Sequence, residues 1–295
     1  MKQKYIDLHT HTFYSDGISF PEEIVRASKL KGIDILAITD HDNFRGYWEA
    51  KQEADKWGLT LVPGVEFSAG KYHILGLNFN PYDTEILNII EKSKALQKEN
   101  SGKRAEMLAR YGMPMSIEKI EHYFPEARLG KMNVFMTMLK DKKCREWIYS
   151  RHENISTGEL KDFYLSKNGI AGGETGVDDL EKEIIINGTH DAGGLAILAH
   201  PPKDVKDMEK ELGKLRELGI NGLEVQPRFY EQSSPFIEYA KKHNLLITYG
   251  SDYHGAYMDR ELLGRQFNTL SPELEERLFP LPDYQDANKG DLCYA

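Results

Sequence analysis

Residues 4–17 read KYIDLHTHTFYSDG, a short apolar run that ends in a His-x-His pair. Side chains alternate between the two faces of a strand, so His9 and His11 point the same way. Two imidazoles on one face can hold one metal ion, and Asp16 in the following loop can hold that ion or a second one. A pair of surface histidines on a polar turn is the alternative, so the rest of the chain must decide.

Composition restricts the class of protein. The chain has 295 residues, 40% of them hydrophobic, which suits one α/β barrel or a domain with a smaller insertion. The net charge of -9 gives no reason to expect a stable complex with nucleic acid or an anionic membrane. The two cysteines, Cys144 and Cys293, have no metal-binding spacing and do not indicate a disulfide framework. With no apolar signal or membrane-spanning segment, we expect a cytoplasmic location.

Strands and helices alternate in two parts of the sequence, and this rhythm predicts βαβ units with a parallel sheet. A capping box formed by Ser19 and Glu22 is expected to start the first helix. We predict a barrel from 1–80 and 184–270 and a mostly helical insertion over 81–183, with a break at Ser101-Gly102. The tail, 271–295, is assigned no chemistry.

Ligand-type side chains follow the predicted strands. Seven of them lie at carboxyl ends of strands: His9, His11, His41, Glu66, His200, Asp252 and His254. In α/β barrels these ends form the catalytic face, because the loops there meet at one mouth. Four other histidines do not follow strands and are expected to be structural or solvated: His122, His152, His190 and His243.

The donor set predicts the metal. Histidine, aspartate and glutamate without cysteine suit Mn²⁺, Fe²⁺ or Zn²⁺. With Asp16 and His73, nine ligand-type side chains are too many for one four-coordinate ion, so we expect two or three divalent ions with Glu66 bridging. Metal ions about 3.5–4 Å apart suit the hydrolysis of phosphate esters.

Five motifs together resemble the PHP (polymerase and histidinol phosphatase) family: residues 7–11 with 15–17, 38–42, 64–66, 199–201 and 250–255. The resemblance implies a distorted (β/α)7 barrel with a three-metal site. One ion would take His9, His11, Glu66 and Asp252. A second would share Glu66 and take His73, and a third would take Asp16, His41, His200 and His254.

Within that family the chain is most similar to stand-alone metal-dependent phosphoesterases with a helical insertion after the fourth strand. Some of these act on nucleoside 3′,5′-bisphosphates or on short RNA 5′ ends. The sequence departs from many members at residues 130–133, which read GKMN where those members have Gly-Arg-Pro-His. Asn133 would then be a weak oxygen ligand, or that corner of the site would be looser.

Other residues near the expected site have predicted roles. Arg104, Lys203 and Arg228 are candidates to bind substrate phosphate, with solvated surface charge as the alternative. Asp40 is expected to hydrogen-bond an imidazole that binds metal. Asp42 is interpreted as a carboxylate at a helix N-terminus.

The sequence therefore predicts a metal-dependent phosphoesterase that uses metal-activated water on a small phosphorylated substrate, expected to be a nucleotide. The leaving-group acid is unassigned. One alternative is a phosphatase or cyclic phosphodiesterase for a sugar phosphate or histidinol phosphate. Another is an amidohydrolase-type enzyme, although Glu66 takes the bridging place of the carboxylated lysine in that class. The last is a degenerate PHP module that binds a partner.

Overall fold

Seven strands form one sheet that curves into a nearly closed barrel. The computed structural model describes residues 3–255, 263 and 269–279. The strands follow one another in sequence order, β1 Ile6–Asp7, β2 Ile35–Ile38, β3 Thr60–Ala69, β4 Tyr72–Leu77, β5 Leu195–Leu198, β6 Gly222–Val225 and β7 Leu246–Tyr249. The first and last strands are joined where the Leu8 amide donates to the Tyr249 carbonyl at 2.9 Å. The predicted distorted (β/α)7 barrel is confirmed.

One strand runs against the others. β4 is antiparallel to both β3 and β5, whereas all other neighbours are parallel, so the wholly parallel sheet was a wrong expectation. The cause is the short turn at Gly70 and Lys71, because so short a connection can only join antiparallel strands. Gly70 has a φ of 70° in this turn. β3 is also longer than expected and carries Glu66 within it.

Twelve helices surround the barrel in the described residues. They are α1 Pro21–Leu30, α2 Arg45–Trp57, α3 Thr84–Arg110, α4 Ile117–Tyr123, α5 Lys131–Lys140, α6 Lys142–Tyr149, α7 Thr157–Leu165, α8 Lys182–Asp191, α9 Pro201–Asp204, α10 Met208–Glu217, α11 Tyr230–Lys242 and α12 Pro272–Leu278. The N-cap of α1 is Phe20 rather than Ser19, and the Glu23 carboxylate accepts from the Phe20 amide at 2.9 Å. Phe20 has no side-chain acceptor, so only the Glu23 half of a capping box forms and the box predicted from Ser19 and Glu22 is wrong.

Helices α3 to α7 form a layer with its own apolar core. Leu108, Val134, Met138 and Tyr164 are all buried in this second cluster. α3 is continuous, so the break expected at Ser101-Gly102 is wrong; the Ser101 hydroxyl donates to the Leu129 carbonyl instead of ending the helix. The boundaries of this layer as an insertion over 81–183 stay a prediction.

Alternate residues of the strands fill the barrel interior. The inner cluster includes Leu8, Ile35 and Ile197, and α12 closes its lower end with Leu274 and Leu278. The first part of the expected tail, up to 279, thus belongs to the barrel core, while 280–295 with Cys293 lie outside the described residues. Within the described residues, no helix combines the length and apolarity that a membrane span requires.

Candidate metal centre

The barrel brings all nine predicted ligands to one mouth. Eight of the nine ligands come from the loops after β1, β2, β5 and β7 and from β4. The ninth, Glu66, lies on β3. Isolated bridges extend the sheet past the strand ends, from His41 to Glu66 and from Thr10 to Tyr253. These bridges hold the ligand loops in register with one another.

Glu66 lies at the centre of the cluster and is fully buried. Its Oε2 lies 3.0 Å from His9 Nε2, 3.1 Å from His11 Nε2 and 3.2 Å from His41 Nδ1. Asp252 closes this side, with Oδ1 3.3 Å from His11 Nε2. One carboxylate oxygen thus faces three imidazole nitrogens.

The other oxygen of Glu66 faces a second pair of imidazoles. Oε1 lies 2.8 Å from His73 Nδ1 and 3.1 Å from His200 Nε2. The two imidazole nitrogens are 3.2 Å apart. His200 therefore sits beside His73, whereas the family resemblance grouped it with Asp16 and His254.

Asp16 lies next to the remaining histidine, His254. Its Oδ1 lies 3.2 Å from His254 Nε2 and 3.9 Å from both His41 Nε2 and His11 Nδ1. Three overlapping groups can each hold an ion, with ligand atoms within 4.8 Å of one another: His9, His11, Glu66 and Asp252; His41, Glu66 and His73; and His11, Asp16, His41 and His254.

The converging donor atoms are better suited to bind divalent cations than to hydrogen-bond one another. Glu66 Oε2 and His41 Nδ1 are buried and have no hydrogen-bond partner among the described residues. Buried polar atoms without partners are costly, so native proteins seldom contain them without a ligand or ion. Oxygen and imidazole nitrogen that converge in this way form the donor set expected for Mn²⁺, Fe²⁺ or Zn²⁺.

Burial and mutual attraction shift the pKa values of these groups in opposite directions. Burial alone would raise the pKa of Glu66, but His41 and His9 hold it well below its usual range. Burial alone would lower the pKa of His11, but the adjacent carboxylates of Asp252 and Glu66 raise it to about 9. For His41, burial prevails and its pKa falls well below the ordinary value. The carboxylates therefore stay ionised and ready to bind cations.

Backbone strain accompanies the cluster. His200 has a φ of 32° and Asp252 a φ of 55°, in the left-handed region that residues with a Cβ seldom adopt. Such strain concentrates at functional sites, where the surrounding structure holds it in place. Both residues belong to the ligand set predicted from the sequence.

Glu224 on β6 supports the ligands from behind, and sequence reasoning missed it. Its Oε1 lies 2.8 Å from His9 Nδ1, and its Oε2 accepts from the His200 amide at 2.8 Å. On the other ring nitrogen, His200 Nδ1 lies 2.8 Å from Asp204 Oδ2. These carboxylates fix each ring so that Nε2 faces the cluster. The signal for Glu224 was a lone acid inside the apolar strand GLEV at 222–225.

Asp40 and Asp42 have other partners than expected. Among the described residues Asp40 has no hydrogen bond to an imidazole, but it accepts from the Thr12 amide at 2.7 Å and from the Ser15 hydroxyl at 2.6 Å. It therefore shapes the loop that carries Asp16. Asp42 accepts from the Ser68 amide at 2.9 Å and the Ser93 hydroxyl at 2.6 Å, so it joins strands and α3 rather than only starting a helix.

Asn133 is also used structurally. Its Oδ1 accepts from the Gly130 amide at 2.8 Å, and its Nδ2 donates to the Ser15 carbonyl at 3.0 Å. Both ends of the amide are therefore engaged, and neither faces the Glu66 cluster. Asn133 thus connects α5 to the Asp16 loop, and its role as a weak oxygen ligand stays a prediction.

Comparison with known proteins identifies the family. Residues 7–154, half of the chain, match the profile of the PHP domain. The chain belongs to the PHP domain family. It is 28% identical to a Haemophilus influenzae 5′-3′ exoribonuclease over 267 residues, which cover 86% of this chain and 91% of the relative.

Further relatives support the assignment. The chain is 28% identical to an Eggerthella lenta phosphoribosyl 1,2-cyclic phosphate 1,2-diphosphodiesterase over 85% of this chain and 94% of the relative. It is 27% identical to a Chromobacterium violaceum 3′,5′-nucleoside bisphosphate phosphatase over 84% and 87%. A solved structure from the same organism, described as an amidohydrolase, has the same fold, with a TM-score of 0.76, 23% identity and coverage of 92% and 96%. This PHP protein is thus a metal-dependent phosphoesterase.

A large basic cavity opens over the PHP metal centre. Its volume is about 1110 Å³, and Asp16, His41 and His73 line one end. Six cationic side chains also line it: Lys71, Arg104, Arg128, Lys131, Lys161 and Lys167. Burial, then the charges of Arg104 and Lys161, lower the pKa of Lys131. Four carboxylates line the cavity as well, Asp16, Glu174, Asp178 and Asp179, so the six cations outnumber the acids and the lining favours an anion.

The predicted phosphate-binding residues lie in different places around this cavity. Arg104 lines it and donates to the Ala171 and Gly173 carbonyls. Arg228 lies at the metal centre, where its Nη2 donates to Asp252 Oδ2 at 3.1 Å. Lys203 is exposed and follows His200 in the short helix α9. Arg128 was missed, and its Nε donates to Asp42 Oδ2 at 3.1 Å.

Proposed function

We propose that this PHP phosphoesterase hydrolyses a phosphate ester of a nucleotide, either a 3′,5′-nucleoside bisphosphate or the 5′ end of a short RNA. The observation that carries the proposal is the position of the Glu66 cluster at one end of a cavity lined by six cations. An ester with a second anionic group can place one phosphate at the cluster and the other among the cations. A monoester of a neutral alcohol would place no second anionic group near these cations.

The proposed ligands of two or three divalent ions are the nine clustered residues: His9, His11, Asp16, His41, Glu66, His73, His200, Asp252 and His254. Mn²⁺, Fe²⁺ or Zn²⁺ held there would polarise the phosphoryl oxygens and lower the pKa of water. Glu66 can bridge because its two oxygens face different sets of imidazoles. Glu224 and Asp204 hold two of the rings in place.

Cationic side chains would orient the substrate for attack by water in line with the leaving oxygen. Arg228 is held at the metal centre by Asp252, which supports a role for its guanidinium beside the reacting phosphate. Arg104 lines the cavity, and Lys203 is not among its lining residues but follows His200 in α9. Fixed cations stabilise the negative charge on the phosphoryl oxygens.

The named relatives favour a nucleotide. The Haemophilus influenzae relative is an exoribonuclease and one Chromobacterium violaceum relative is a nucleoside bisphosphate phosphatase. The Eggerthella lenta relative acts on a cyclic phosphate of phosphoribose, and its similar identity makes a sugar-phosphate diester the second candidate. Both substrate types contain a ribose and more than one phosphate.

The test is phosphate release after the protein has been stripped with a chelator and reloaded with Mn²⁺, Fe²⁺ or Zn²⁺ separately. Adenosine 3′,5′-bisphosphate, a 5′-phosphorylated RNA trimer and phosphoribosyl 1,2-cyclic phosphate are compared at equal concentration. We expect the fastest turnover with one of the first two. The His9→Ala/Asp252→Ala double variant should lose more than about 100-fold in activity, because even outer partners of metal ligands contribute 10–100-fold.

His122→Ala is the matched control, since this histidine lies on α4 and belongs to none of the three ligand groups. It should keep wild-type turnover. Equal activity in the wild type and the double variant would overturn the metal-centre assignment. Faster turnover of the cyclic phosphate would transfer the proposal to the second candidate.

A further inference from the structure

A second, smaller cavity lies on the other side of the Asp16 loop. Its volume is about 250 Å³, and it is formed between that loop and helices α4 and α5. Aromatic and methionine side chains make up much of its wall: Phe13, Phe20, Tyr123, Phe124, Met132 and Met136. We call it the aromatic pocket. Its composition contrasts with the basic cavity.

The aromatic pocket adjoins the metal centre. Asp16 and Met132 line both this pocket and the basic cavity. Asp16 is also one of the residues grouped around a candidate ion position, with His11, His41 and His254. A molecule whose phosphate lies at the centre therefore needs only a short link to reach the pocket.

The pocket keeps apolar surface open to solvent. The side chain of Phe20 is 51% exposed and that of Ile18, which also lines the pocket, is 49% exposed. The rings of Phe13 and Phe20 meet edge to face, with centroids 4.7 Å apart. Large apolar side chains grouped at a cavity mouth usually mark a binding surface.

We propose that the aromatic pocket binds the base of the nucleotide whose phosphate is hydrolysed at the metal centre. This inference rests on the proposed function and specifies its substrate class as base-containing esters rather than simple sugar phosphates. A nucleotide joins an anionic phosphate to a planar ring through one ribose. The two cavities show the same division, with cations on one side of Asp16 and aromatic rings on the other.

Stacking explains why the pocket suits a base. Nucleobases stack on aromatic side chains with little preference among the bases, because each base has a π face. Methionine sulfur adds favourable contacts with aromatic rings. Among the described lining residues, Lys140 is the cation, and its Nζ lies 4.6 Å from the Phe124 ring centroid. The wall therefore offers mainly surface for stacking and would not select one base strongly.

The size of the pocket argues against a protein partner. A volume near 250 Å³ accommodates one ring system but not a helix laid along its apolar face. A peptide would also lack the phosphate that places the base next to Asp16. A nucleobase uses both the shape and the location of the pocket.

The experiment compares adenosine 3′,5′-bisphosphate with 1,4-anhydroribitol 3,5-bisphosphate, which has the same two phosphates and no base. The ratio of their kcat/KM values is measured for the metal-loaded wild type and for two variants of lining residues from separate elements, Phe20→Ala at the start of α1 and Tyr123→Ala on α4. Wild type should prefer the adenosine compound by at least about fivefold, because stacking on a protein ring is worth that much or more per base. In both variants the ratio should fall toward one.

Tyr149→Ala removes an exposed ring outside the pocket and should keep the wild-type ratio. Thermal melts of each variant establish that it is folded, and two positions are used so that one unstable variant does not decide the result. A wild-type ratio near one, or an unchanged ratio in both pocket variants, overturns the inference and assigns the pocket to another occupant.

If neither compound is hydrolysed, the proposed function fails, and the two compounds are then compared by titration calorimetry. Tighter binding of the adenosine compound to wild type, lost in Phe20→Ala and Tyr123→Ala, would still support the aromatic pocket as a base site. Equal binding of both compounds to wild type would overturn it. Failure of the proposed function and failure of the base-site inference therefore give different results.

Discussion

Glu224 shows how one residue outside the ligand set can control the metal centre. The buried carboxylate binds His9 Nδ1 with one oxygen and the His200 amide with the other. The His9 ring is thereby held with Nδ1 toward Glu224 and Nε2 toward Glu66, 3.0 Å away. A carboxylate in this position also makes the imidazole a better ligand.

Glu224→Gln should lower the affinity for Mn²⁺ by about 10–100-fold, the usual effect of losing such an outer partner. The amide keeps the shape of the side chain but removes the negative charge that stabilises the His9 N–H. The measurement is competitive metal titration against a fluorescent chelator at constant pH. Glu217→Gln on the exposed face of α10 is the control and should bind metal as wild type does. Wild-type affinity in Glu224→Gln would show that His9 needs no such partner.

At the scale of secondary-structure elements, Arg128 connects the helical layer to the barrel. It precedes α5 in the chain and donates to Asp42 after β2 and to the Ser68 hydroxyl on β3. Asp42 is fully buried, so its charge depends on nearby donors. The ion pair therefore joins three separate parts of the chain.

Arg128→Met should lower the free energy of unfolding by about 1–3 kcal/mol, because it removes a donor from a buried carboxylate. The remaining bonds to Ser68 and Ser93 keep the loss below that of a fully isolated charge. Urea unfolding measures the change. Arg110→Met, at a side chain that is 80% exposed, is the control. A loss below about 0.5 kcal/mol in Arg128→Met would match an ordinary surface position and contradict this role.

Glu211 links α10 to the start of β4. The ionisation of its carboxyl group makes the stability that this link contributes depend on pH. Hydrogen bonds from Lys71, then from Tyr72, lower the pKa of Glu211 from its ordinary 4.5 to about 2. A lowered pKa favours the ionised form in the folded state, so this stabilisation is present above pH 4.5. It is lost as the pH falls toward 2.

The Glu211→Gln variant should therefore be less stable than wild type at pH 7, and the difference should shrink between pH 4.5 and pH 2. The difference is expected to be at most about 1 kcal/mol, because water screens exposed ion pairs. Urea unfolding at several pH values measures it, with Glu209→Gln on the same helix as the control. A difference that stays constant across this range would mean that the charge of Glu211 does not contribute.

At the scale of the whole molecule, local sequence signals predicted the ligands that directly follow the ends of strands. His9, His11, His41, His200, Asp252 and His254 could be found because each follows an apolar run, and the structure brings them together around Glu66 and Asp16. The antiparallel β4 could not be read from the rhythm of strands and helices, since strand direction depends on the turn at Gly70. Arg128 and Glu224 were missed because their importance comes from partners distant in sequence. The contact of Asn133 was missed for the same reason, because its amide binds Ser15, 118 positions away in the chain.

The metal centre should also stabilise the fold as a whole, because its ligands come from both ends of the barrel sheet. Ions held by His9, Glu66 and Asp252 would join the loops after β1 and β7 to β3 and so oppose opening of the barrel. At a free metal concentration 100 times the dissociation constant, binding adds about 2.7 kcal/mol to stability. For a protein of this size we expect Tm to rise by about 5–10 °C when Mn²⁺ is added to chelator-treated protein. Calorimetry of the His9→Ala/Asp252→Ala variant under the same conditions should show little of this rise, while His122→Ala should show all of it. An equal rise in the double variant would place the stabilising metal at another site.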